Sequence, residues 1–227
     1  MRVTRELRFE RTVALAGTIV TALALVAAGC GGSSSKPTAE ETAAKAPACP
    51  AGARVSWQKL ANEIRAPVYC PSWLPRPLVG RWAGSPFNGH EVDPDRSYLV
   101  KFLWFDSGLG AQISEVHVNL RGYPGNSRIP TCDNTLSVNG KTLERPSPCF
   151  SDPKPQKKKF GKIVATLYTS NQGADQWHLL YAWHRNGSLY SLSEHVAAPY
   201  TYKQVVANLD RMMRTLVLVE PKAKSQT

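Results

Sequence analysis

Two apolar-rich runs, Trp177 to Trp183 (WHLLYAW) and Leu189 to Val196 (LYSLSEHV), flank Asn186 and Gly187. Asn-Gly suits the two positive-φ positions of a type I′ turn, which joins antiparallel strands in two residues. Such a turn leaves the chain one register. Trp183 then faces Tyr190, Tyr181 faces Leu192, Leu179 faces Glu194 and Trp177 faces Val196. One face of the hairpin is therefore almost wholly aromatic and aliphatic, and a one-residue slip would send all of it to water. The other face carries His178, Leu180, Ala182, His184, Leu189, Ser191, Ser193 and His195. The first face requires a cover.

A helix after the hairpin is placed to supply it. Thr201 to Gln204 (TYKQ) fits a capping box, with Thr201 as N-cap and Gln204 at the third helical position. Val205, Val206, Leu209, Met212, Met213 and Leu216 form one apolar stripe, with Lys203, Asn208, Asp210 and Arg211 off it. Earlier in the chain, Trp57, Leu60, Ala61 and Ile64 recur at helical spacing after Ser56, a suitable N-cap, and Pro67 stops that helix. Val68 to Pro77 is Pro-rich and extended, packing Tyr69, Trp73 and Leu74 on the core. Further strands are expected over Tyr98 to Phe105, bounded by Asp106-Ser107-Gly108, over Gln112 to Leu120 with Ile113, Val118 and Leu120 apolar, and over Ile163 to Thr169. The expected fold is α+β: an antiparallel sheet with an N-terminal and a C-terminal helix. At 42% hydrophobic and 20% charged, the chain can fill a core, which excludes collagen-like and wholly disordered classes.

The N-terminus carries an address. Arg2, Arg5, Arg8 and Arg11 precede an uncharged run from Thr12 to Gly29, the pattern of a secretory signal. Its end, Ala27-Ala28-Gly29-Cys30, resembles the bacterial lipobox. That resemblance implies cleavage before Cys30, a lipid on its sulfur and an outward-facing mature chain. The competing reading, an uncleaved signal anchor, also tethers the chain outside the cytoplasmic membrane. Residues 1–29 are thus expected to be the signal peptide and 30–48 a small, polar, flexible tether reaching roughly 25 Å. One domain is expected over 49–221, with a disordered tail over 222–227.

Cys49, Cys70, Cys132 and Cys149 remain, an even number in an exported chain, which argues for two disulfides among three connectivities. Cys49–Cys70 and Cys132–Cys149 are favoured. The second pair flanks Thr135 to Glu144, where Asn139-Gly140 signals another tight turn. Each loop is of a length that gives about 3 kcal/mol in the chain-entropy model. Neither C-x-x-C nor histidine at zinc-finger spacing is present, so a zinc centre at the cysteines is not expected.

The chain has 28 Lys+Arg against 17 Asp+Glu, a formal +11. Removal of residues 1–29 takes four Arg and two Glu, leaving 24 basic and 15 acidic residues, +9. Outside the cytoplasm such charge meets anionic lipid headgroups or acidic wall polymers before nucleic acid, which is not expected as a partner. The densest cluster is Lys154, Lys157, Lys158, Lys159 and Lys162, expected on an exposed loop ahead of a strand. It is the candidate for anionic-surface contact, beside the plainer reading of a solvated charge run.

Catalytic motifs are missing: no G-x-S-x-G, H-E-x-x-H, P-loop or dinucleotide-binding glycine pattern occurs. Ser191, Ser193, Glu194 and His195 have the residue types of a hydrolase, but strung along one strand they do not converge as a triad must. His178 and His195 face each other across the hairpin and are weak metal candidates that need further ligands; Glu194 points to the other face. No cofactor is expected. The six tryptophans either pack a core or line a cavity for a greasy ligand.

Trp183, Gly187, Tyr190 and Thr215-Leu216, with the upstream Tyr69 to Pro75 (YCPSWLP), resemble small extracytoplasmic domains of actinobacterial lipoproteins and anti-sigma-factor-like proteins. The resemblance covers about a third of the chain, and its motifs are structural. It implies fold and location. The expected function is that of a membrane-anchored, non-enzymatic binding or structural module at the cell envelope, with an unidentified protein among its possible partners. The alternative is a carrier or sensor of a hydrophobic ligand held between sheet and helices.

Overall fold

The computed structural model describes residues 46–78, 88–105, 115–138 and 141–222, which fall within one compact unit, Ala44–Thr227. The signal run, Cys30, most of the tether, Trp82, Ile113, the Asn139-Gly140 turn and the residues after 222 lie outside the described residues. Among the described residues, no helix is long and apolar enough to cross a membrane.

The expected hairpin is the centre of the fold. Strands β11 (His178–Arg185) and β12 (Ser188–His195) pair in the register set by the turn, with Trp183 opposite Tyr190 and His178 opposite His195. Asn186 and Gly187 take φ of 49° and 74°, as a type I′ turn requires. Trp177 is the exception. It takes φ 65° before the strand begins, and its side chain is 73% exposed instead of joining the apolar face.

Around this hairpin the chain builds a seven-stranded antiparallel sheet. Its order is β2 (Asn88–Val92), β3 (Tyr98–Phe105), β4 (Glu115–Tyr123), β12, β11, β9 (Ile163–Tyr168) and β8 (Gln156–Phe160). Within β4, Gly122 pairs with Tyr98, whose ring lies over it; a Cβ at 122 would collide with that ring.

Two helices and a ribbon cover one face. Helix α1 (Ala51–Ile64) begins six residues earlier than Ser56 would have it, from Pro50, with no side-chain cap. Ala53 explains the difference: fully buried, it extends the stripe of Trp57, Leu60, Ala61 and Ile64 one turn back. The helix also stops before Pro67, at Arg65 in the left-handed conformation (φ 51°). Val68–Pro71 is strand β1, and it pairs with β13 (Leu216–Val219), a strand that the helical stripe conceals because Leu216 fits both periods. Helix α2 (Tyr202–Arg214) begins with the expected capping box. The Thr201 backbone N–H donates to Gln204 Oε1 at 2.9 Å, and the Gln204 backbone N–H to Thr201 Oγ1 at 3.4 Å.

The core between these layers is aromatic. Tyr69 meets Trp183 and Tyr190 edge-on at centroid distances of 5.2 and 5.0 Å, and Trp57 lies 6.5 Å from Phe102. Val205, Leu209, Met212 and Met213 of α2 close over Leu179, Tyr181 and Leu192. Asp210 ties α2 to the sheet edge, accepting from Tyr181 Oη at 2.9 Å and pairing with Lys158.

Among the described residues, the other face is covered only in part. The β5 (Thr131–Val138) and β6 (Lys141–Pro148) hairpin, with the short β7 (Phe150–Ser151) and β10 (Ser170–Asn171) pair, brings Phe150 onto Leu180, Ala182 and Leu189. Both expected disulfides are present. Cys49–Cys70 (Cα–Cα 5.7 Å) joins the start of α1 to β1, and Cys132–Cys149 (4.8 Å) closes the base of the β5–β6 hairpin.

Candidate functional site

Residues of like parity along neighbouring strands share a face, so the β4–β12–β11 order places His117, Asn119 and Arg121 beside Ser193 and His178. A single 3-10 turn, Gly173–Asp175, then lowers Asp175 onto this partly covered face. The Ser193 hydroxyl donates to Asp175 Oδ1 at 2.7 Å, Asn119 Nδ2 donates to the same oxygen at 2.9 Å, and Arg121 Nε donates to Oδ2 at 2.9 Å. Burial alone would raise the Asp175 pKa. The Arg121 charge and the Ser193 and Asn119 hydrogen bonds outweigh it and hold the carboxyl below its usual range.

That network determines a tautomer. Ser193 has one proton and gives it to Asp175, so its 2.9 Å contact with His178 Nδ1 is an N–H donated by the histidine. The Nε2 of His178 consequently carries no proton and accepts the hydrogen bond that His117 Nε2–H donates. His195 completes the group. Ring centroids lie 4.2 Å (His117–His178), 4.7 Å (His117–His195) and 5.3 Å (His178–His195) apart. Burial, then the neighbouring imidazoles, push His117 down to about 4 and His178 to about 3, so both are neutral at pH 7.

The chemistry available here is not that of a hydrolase. Ser193 is 1% exposed, and its proton is committed to a carboxylate while His178 acts as donor, the reverse of a general base. Ser191 is equally buried. Glu194 lies on the helix side, as the register requires. There Asn208 Nδ2 donates to its Oε1 at 2.8 Å, its Oε2 has no hydrogen-bond partner among the described residues, and burial pushes its pKa up to about 8.

The expected pair His178 and His195 is brought together, but four members of the cluster were not among the candidates: His117, Asn119, Arg121 and Asp175. Alternation about Val118 and Leu120 puts His117 and Asn119 on the polar face. Nothing local says that β4 lies beside β12, or that a residue before β11 folds back over it.

The lysine cluster is not a loop. Lys157, Lys158 and Lys159 lie on β8, the sheet's edge strand, turned back through Gly161 (φ 59°) into β9. An edge strand exposes both faces, so its side chains can all be polar and its composition mimics a loop; lysines there also block pairing with another chain. Lys158 points to the helix side and Asp210, whereas Lys157 and Lys159 point to the other face. Lys154 and Lys162 flank the strand, outside it. Lys157 borders a depression of about 400 Å³ lined also by Val164, Thr166, Tyr168, His184 and Leu189. Val164 is 57% exposed beside it.

No family model matches the chain, and comparison with curated proteins and with solved structures finds no similar one.

Proposed function

We propose that the chain is an extracytoplasmic lipoprotein, anchored through Cys30, whose folded part is a non-enzymatic module that contacts anionic lipid headgroups or acidic wall polymer. The observation that carries this reading is the lysine-bearing edge strand. Lys157 and Lys159 project from the partly covered face beside an open depression with an apolar floor. Lysines at an anionic surface contribute roughly 1 kcal/mol each, falling within a Debye length. The signal pattern before Cys30 supports the anchor.

The packing between sheet and helices supports a solid module over a carrier. Trp57, Tyr69, Trp183 and Tyr190 are all buried there, in ring contact with one another or with Phe102. The partner face is thus the exposed basic one.

A form beginning at Gly31 keeps the whole compact unit. Its binding to phosphatidylglycerol vesicles at low salt should fall at least about tenfold in Lys157→Glu/Lys159→Glu, whose four-unit change of charge outweighs the loss of two contacts. Equal binding by both forms would refute the surface reading. Palmitate incorporation in cells should vanish in Cys30→Ala; retained label would refute the anchor.

A further inference from the structure

We propose that His117, His178 and His195 form a binding site for a borderline divalent transition ion of the zinc–copper group, with His178 as its fixed ligand. Neutral imidazole is the ligand form such ions require, and His-rich sites suit zinc, copper and nickel. The strongest feature is the Asp175–Ser193–His178 chain. A metal-binding histidine characteristically donates its other ring N–H to an oxygen acceptor such as a carboxylate, a backbone carbonyl or water, which fixes the tautomer and raises ligand basicity. Here Nδ1–H is given to Ser193 and Ser193 to Asp175, so the Nε2 lone pair is aimed at His117.

The third ring has an unmet need. Among the described residues, His195 Nδ1 is buried without a hydrogen-bond partner, which is costly for a polar atom and is relieved by a metal bond. His117 and His195 are only half-buried, beside the buried His178. Among the described residues, no three His, Cys, Asp or Glu side chains already surround one point. The ion therefore enters between the facing Nε2 atoms of His117 and His178, which part to admit it while the His117 proton leaves Nε2 for its Nδ1, and the His195 ring turns to it. Three imidazoles leave a fourth position on such an ion for water.

The full chain in detergent, freed of metal with a chelator, is titrated with Zn²⁺ by calorimetry and with Co²⁺ by visible absorption. One ion should bind per chain, with affinity falling at least about tenfold in His117→Gln and in His195→Gln, the loss expected when a ligand or its orienting partner is removed. In the unaltered chain, ¹⁵N-histidine spectra should show Zn²⁺ moving His117, His178 and His195 but not His90 or His184, a readout that needs no variant to fold. No binding at millimolar Zn²⁺, undiminished affinity in either variant, or shifts confined to His90 and His184 would each overturn the proposal.

Discussion

The two faces of the seven-stranded sheet are made by the same register and stabilised by different physics. On the helix side, Leu179, Tyr181, Trp183, Tyr190 and Leu192 are buried against apolar side chains from α1, α2 and β1, and the gain is area removed from water. On the other side, Asp175, Arg121, Asn119, Ser193 and His178 are buried as a hydrogen-bonded charge network. A network of that kind adds little net stability but is costly to break, because each partner left behind stays buried and unpaired. The helix side holds the molecule together. The other side holds particular groups in particular protonation states.

The contrast is broken most forcefully at Trp183. Trp183→Ala removes the ring that Tyr69 and Tyr190 pack against and should cost about 3–5 kcal/mol in denaturant melts, while leaving the histidine ring chemical shifts in place below the transition. The disulfides come next, one for each face. Replacing Cys49 and Cys70, or Cys132 and Cys149, by alanine should each cost about 3 kcal/mol by melting. Only loss of Cys132–Cys149 should alter the histidine titrations, since it frees the hairpin base beside the polar face.

The pH dependence separates the faces by sign. Glu194, raised from 4.5 to about 8, contributes stability that is complete below the unfolded value and lost as pH rises through about 8. His117 and His178, lowered from 6.5 to about 4 and about 3, contribute stability that is complete above 6.5 and lost as pH falls toward those values. Glu194→Gln should therefore flatten the fall in stability between about pH 5 and pH 8 and leave the acid limb intact, as measured by urea melts at each pH. The smallest effect is at the turn. Gly187→Ala, forced to φ 74°, should cost about 1 kcal/mol and weaken both faces equally, because it loosens the register that defines them.

The central hairpin and the helix that covers it were legible because the signals for them are local. Asn186-Gly187, the alternation on either side and the Thr201–Gln204 box each lie within a few residues of what they specify. The same holds for both disulfides, whose partners are close along the chain. The errors at Ser56 and at Lys154 to Lys162 are also local, since a small core residue (Ala53) carries a weak hydrophobic signal and an edge strand composed of lysine carries none. The polar face is different. His117 and Asp175 reach His178 from 61 residues away on β4 and from three residues back through a turn that reverses over the strand. Pairing of β4 with β12 decides that meeting, and no residue near either strand announces it. β13 was hidden for a related reason: a continuous apolar run after a helix satisfies both helical and strand periods until its partner, β1, is known.

The account turns on the histidine cluster being assembled as described. The most direct measurement is a ¹⁵N-histidine NMR titration of the metal-free chain, reading the protonation and tautomer of each of its five histidines. His117 and His178 should stay neutral until about pH 4 and about pH 3, with His178 protonated on Nδ1 throughout. Ordinary titration of both near 6.5, or a proton on Nε2 of His178, would contradict it.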